Sequence, residues 1–193
     1  MWVRRAAIRP VPAYAQVPAR ALSDVEERLA DDDMDSRQRL DDAFARFEQS
    51  QPALAERIAN ALSGAQDETA LALGYFLTLS VWLAFDAAFG AELKEVGETE
   101  LNSVEEAFSL DEQLRLSDPA EALDTDDVIS MEQPHVLSFV NDHIDAALDA
   151  NGHEADVDDV HAVYRVVLIE VLALSYAVQA PSNWTMPATE FLA

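Results

Sequence analysis

The chain has 193 residues, no cysteine, and 12 Lys+Arg against 37 Asp+Glu, a formal net charge of −25. That length makes one domain, or one domain with an arm, and a half-hydrophobic composition supplies a core and argues against global disorder. Without cysteine there is no disulfide framework, thiolate nucleophile or Cys-ligated metal, and the glycines at 64, 74, 90, 97 and 152 are too dispersed for GxGxxG, a P-loop or GxSxG.

Residues 1–22 carry Pro10, Pro12 and Pro18, all four of Arg4, Arg5, Arg9 and Arg20, and no acid. They read as an extended basic arm. Prolines and Arg9 interrupt any apolar stretch there, so a signal peptide is not expected and the cytoplasm is the default location. Residues 23–180 read as an acidic all-α domain, and 181–193 as an irregular tail in which Trp184 and Phe191 are apolar enough to dock.

Ser23-x-x-Glu26 is a capping-box signal for a short helix ending near the Asp31-Asp32-Asp33 run. Ser36 opens the next, with Leu40, Ala43, Phe44 and Phe47 on one face. Gln51-Pro52 starts another, carrying Leu54, Ile58, Ala61 and Leu62, with Gly64 as its C′ residue. Asp67 caps a long helix over 67–89 that stops at Gly90 and is apolar almost all round, so it must be central. Its uncharged run, 69–85, is 17 residues, short of the ~20 a bilayer requires, and no membrane span is expected.

Ser103-x-x-Glu106 signals a helix to about Leu116, Asp118-Pro119 a short helical turn, and Gln133-Pro134 a helix to about Ala150. Asp156 then caps a second long apolar helix over 156–180. No stretch alternates with period 2 between turn signals, so no strand is predicted. The fold class is therefore an all-α bundle of six to eight helices. Phe47-Glu48-Gln49-Ser50-Gln51-Pro52 also resembles Met131-Glu132-Gln133-Pro134, and each is followed by an amphipathic helix and then a long apolar one. A duplication of this kind predicts that the two long helices touch.

Residues 116–164 hold no Lys or Arg, thirteen acids and all four histidines. Carboxylates and imidazoles are the donors a divalent metal requires, and Glu132-x-x-His135 and Asp158-x-x-His161 have the i, i+3 spacing of dimetal helical bundles. Glu132, His135, His143, Asp158 and His161 are thus the candidate metal ligands, weighed against solvated acidic helix ends. The stretch 149–160 has the length of an EF-hand loop, but Glu154 and Val160 replace its glycine and its bidentate glutamate. Asp86 and Glu170 are the ionisable residues expected to be buried, with Arg165, Arg57 and Tyr75 as partners open to Glu170.

A body of net −29 outside the first 23 residues repels phosphate backbones, so nucleic acid is not an expected partner. The leading expectation is a non-enzymatic acidic helical domain that binds a basic protein surface. The alternative is a metal-dependent enzyme or sensor using 116–164. Self-association through a leftover apolar face is opposed by the charge only at low salt.

Overall fold

A computed structural model describes residues 8–29, 34–117, 129, 132–151, 156–182 and 184. Among them are seven α-helices: α1 (Ala19–Leu29), α2 (Met34–Ser50), α3 (Pro52–Leu62), α4 (Glu68–Phe89), α5 (Glu98–Ser117), α6 (Pro134–Asn151) and α7 (Val157–Ala177). The all-α expectation is correct, and the only β pairing among the described residues is an isolated bridge between Leu93 and Val178.

The two long helices lie against each other more extensively than any other pair. They run parallel, because both of their ends meet. At the N-terminal ends, Asp67 accepts the N–H of Thr69 through Oδ1 (2.9 Å) and that of Asp156 through Oδ2 (2.8 Å). Asp156 in turn accepts the N–H of Asp158 (2.9 Å), capping α7 as the sequence indicates. At the other end α4 stops at Gly90, whose φ of 51° is the left-handed backbone that glycine adopts at no steric cost. The chain then lies beside the residues leaving α7, with Lys94 N–H donating to Ala177 O (3.1 Å) and Gln179 N–H to Glu92 O (2.8 Å).

Helix α4 continued through Glu92, and α7, are each long and apolar enough to cross a bilayer, which the 17-residue count of 69–85 had understated. In the bundle 67% and 61% of their most apolar stretches are buried against the rest of the protein.

The contacts repeat about a pseudo-twofold axis between α4 and α7. Helix α1 packs on α4 as α5 packs on α7; α3 reaches across to α7 as α6 reaches across to α4; and α1 meets α6 as α5 meets α3. Residues follow the same pattern. Two residues after Val17 begins α1, with Leu22 and Val25 buried; two residues after Val96 begins α5, with Leu101 and Val104 buried. Gln51-Pro52 opens α3, which buries Leu54 and Ile58, and Gln133-Pro134 opens α6, which buries Val136 and Val140 at the same spacing.

The two glutamines are buried and do the same work in exchange. Gln51 donates to Lys94 O (3.0 Å) and accepts from Val96 N–H (2.8 Å), clasping the extended segment before α5. Gln133 donates to Ala15 O (2.6 Å) and accepts from Val17 N–H (3.0 Å), clasping the segment before α1. Each half therefore holds the lead-in of the other, and each amide satisfies one buried backbone donor and one acceptor.

Three helix starts differ from the expected ones. Helix α1 begins at Ala19, where Pro18 presets the first turn and its C=O accepts from Ala21 N–H, so Ser23 lies inside and its Oγ donates back to Ala19 O. Helix α2 begins at Met34 rather than Ser36, and α5 at Glu98, placing Ser103 in its interior. Within the arm, Ile8, Val11, Ala15 and Val17 are buried, and Tyr14 meets Trp184 edge to face at 5.2 Å. The predicted turn at Asp118-Pro119, the Asp31-Asp32-Asp33 run and Phe191 lie outside the described residues.

Candidate functional site: an acidic rim around an apolar cleft

The residues expected to hold a metal are not brought together. Pro134 opens α6, so Glu132 lies outside the helix that carries His135, and His135 is exposed on the first turn. His143 is half-buried lower on α6: its Nδ1 is 2.8 Å from Phe139 O, its ring is 4.2 Å from Phe139 and 5.0 Å from Phe76, and Nε2 is 3.7 Å from Glu26. Asp158 and His161 are exposed at the start of α7. Among the described residues no three His, Asp or Glu side chains meet where they could hold an ion. The stretch 149–160 is also not wholly a loop, since α6 runs through Asn151 and Asp156 is engaged in capping α7; His153 lies outside the described residues.

The two acids expected in the core separate. Asp86 is not buried: its carboxylate, 35% exposed, pairs with Arg46 at 2.6 Å, and that guanidinium stands 5.5 Å from the Trp82 ring. Glu170 is completely buried on α7, and neither carboxylate oxygen has a hydrogen-bond partner. Its helical neighbours Val166, Val167, Ala173 and Leu174 are all apolar, so burial pushes its carboxyl well above the usual glutamate range and favours the neutral acid. The three expected partners are engaged elsewhere. Arg165 bonds Glu112 and Ser109, Arg57 bonds Glu105 and Asn102, and Tyr75 meets the edge of Phe44. Helix α4 carries a milder counterpart, Ser80, whose hydroxyl is also buried without a partner.

Several cations among the described residues are engaged by the fold. Besides the arginines at 46, 57 and 165, Lys94 Nζ donates to Ala91 O (2.7 Å), and Arg9 lies 3.9 Å over the Tyr176 ring while Tyr176 Oη donates to Arg9 O (2.5 Å). Burial is the main force pushing the Tyr176 hydroxyl up to about 12. Among the described residues exposed acids occur on most helices, and one group of them lies where the chain turns from α4 into α5. There Glu92, Glu95, Glu98 and Glu100 are all exposed, with no cation paired to them among the described residues.

Beside this turn a cleft of about 470 Å³ opens between α5, the last turns of α7 and Arg9. Val96, Val104, Ala107, Ala173 and Ala177 form an apolar floor, and Thr99 and Ser103 supply hydroxyls. Glu95, Glu100, Arg9 and Tyr176 complete the lining. Sequence reasoning missed it. Residues 91–102 look like a polar connection, and only the small residues at i, i+4, i+8 of α5 (Thr99, Ser103, Ala107) hint that a neighbouring helix leaves space there.

Neither protein-family models, nor curated proteins, nor solved structures contain a match to the chain.

Proposed function

We propose that this chain is a non-enzymatic interaction domain whose acidic face docks a basic protein surface. The observation that carries the reading is the uneven fate of its charges. The arginines at 46, 57 and 165 are tied to acids of the same chain, whereas the four glutamates of 92–100 face solvent with no cation paired to them among the described residues. A surface of this kind steers lysine- and arginine-rich partners toward it and keeps phosphate backbones away.

The test is calorimetric titration with an arginine-rich peptide over a series of NaCl concentrations, with duplex DNA as the like-charged control. The reading expects saturable binding of one peptide per chain that weakens with salt yet persists at about 0.15 M ionic strength, where the screening length is about 8 Å. Replacing Glu92, Glu95, Glu98 and Glu100 by Gln weakens it, while neutralising Asp41, Asp42 and Glu48 on α2 leaves it unchanged. Non-saturating binding, or equal loss from both sets of substitutions, would show general attraction to a polyanion and overturn the reading.

A further inference from the structure

We infer that the cleft between α5 and α7 is an anchor site. It takes one large apolar side chain of a basic protein segment, with the flanking Lys or Arg residues of that segment on Glu95 and Glu100. The inference rests on the acidic docking function and adds where the partner docks and what its segment must contain.

Two observations support it. The first is shape combined with charge. The floor is made of Val96, Val104, Ala107, Ala173 and Ala177, and its volume of about 470 Å³ lies in the range of sites that enclose a ligand group. An apolar floor alone does not select a partner. Here its lining includes two exposed carboxylates on the α5 side, Glu95 and Glu100, against one cation, Arg9, whose guanidinium stands 3.9 Å over the Tyr176 ring. A segment with an apolar residue between basic ones satisfies both surfaces at once, in the pattern of a buried anchor surrounded by complementary charge.

The second observation is a break in the pseudo-twofold. In the first half, α1 lies along α4 in more extensive contact than α5 makes along α7. Helix α1 places buried Ala21 one residue before Leu22, whereas α5 places exposed Glu100 one residue before Leu101. The same architectural joint is thus closely packed in one half and, in the other, stands open with an acid at its edge.

The experiment uses the full chain and two short synthetic peptides of equal charge, one with a tryptophan flanked by arginines and one with glycine in its place. Calorimetry is run at about 0.15 M ionic strength, where surface attraction beyond about 8 Å is screened. The tryptophan peptide is expected to bind about tenfold tighter than the glycine peptide. Ser103→Met, at an exposed position lining the cleft, removes that tenfold advantage and leaves glycine-peptide affinity and the melting temperature unchanged. Glu95→Gln with Glu100→Gln weakens both peptides. Equal affinity of the two peptides for the unaltered chain, or an advantage that survives Ser103→Met, overturns the anchor site while leaving the acidic docking reading in place. Failure of both peptides to bind overturns that reading as well. A tryptophan advantage that appears only when residues 1–7 are removed assigns the cleft to the chain's own basic arm and also overturns the inference.

Discussion

Asp67 and Asp159 bind the starts of the two central helices to each other: Asp159 Oδ2 accepts the backbone N–H of Asp67 at 2.8 Å, and also that of Gln66 at 2.8 Å. Asp67 answers by accepting from Asp156 N–H across the same gap. The first N–H groups of an α-helix have no partner within it, and here each helix supplies carboxylate acceptors to the chain entering the other. Two parallel helices also bring their positive dipole ends side by side, and the three aspartates offset that repulsion.

Asp159→Ala removes the acceptor for two backbone N–H groups and is expected to cost about 1–2 kcal/mol in urea unfolding at pH 7. Unchanged stability would show that water replaces both bonds.

The backbone N–H of Asp156, with that of Thr69, holds the Asp67 carboxyl below its usual range. A depressed folded-state pKa contributes stability that is present above the unfolded value, near 3.9, and is lost as pH falls through the lower folded value. Denaturation at pH 7 and pH 3 is therefore expected to show a smaller acid-induced loss in Asp67→Asn than in the unaltered chain, with a lower melting temperature at pH 7. An identical pH slope in the two would refute the linkage.

Glu170 runs the other way. Its raised folded-state pKa means that the stability it leaves intact in acid declines as pH rises from about 4.3 toward the folded value. Glu170→Gln is expected to flatten that decline and to match or exceed the unaltered chain at pH 7. Glu170→Met, which removes the orphaned oxygens, is expected to gain about 1–3 kcal/mol. A large loss in both variants would reveal a charged partner for the carboxylate and rule out the neutral, unpaired acid.

Removing either clasping glutamine should leave a local signature. Gln133→Ala orphans the buried N–H of Val17 and C=O of Ala15, and Gln51→Ala orphans the buried N–H of Val96 and the half-buried C=O of Lys94. Each is expected to cost about 2–4 kcal/mol. Amide hydrogen exchange should accelerate at Val17 in the first variant and at Val96 in the second. Exchange that rises equally at both would mean global destabilisation rather than loss of a clasp.

His135 and His161 are exposed on different helices, so His135→Ala and His161→Ala are expected to leave any response of the melting temperature to Mg²⁺, Mn²⁺, Ca²⁺ or Zn²⁺ unchanged at high monovalent salt. A saturable shift lost in one of them would restore the metal reading.

Much of the fold was legible because it is written in local chemistry. Asp67 and Asp156 are caps, Gly90 is a stop, and the Gln-Pro pairs open helices, all at their expected positions. The same locality misled at Ser23 and Ser103, where a capping pattern occurs inside a helix already started by Pro18 or after Gly97. Glu170 was legible as buried from its apolar neighbours, while Asp86 was not legible as exposed, because the deciding group, Arg46, is 40 residues away. The cleft was illegible for a related reason: small residues at helical spacing describe equally a tight contact and a gap, and only the placement of α7 distinguishes them.

The exchanged glutamine clasps also govern the order in which the molecule can be completed during its synthesis. Val17 and the side chain that holds it are 116 residues apart, so the opening segment has no amide to close on until most of the chain has been made. Loop closure over that distance is entropically expensive and is recovered only when α6 arrives. A polypeptide ending before Gln133 lacks the amide that pairs two backbone groups of its own beginning, so this clasp can close only after α6 has begun to be made.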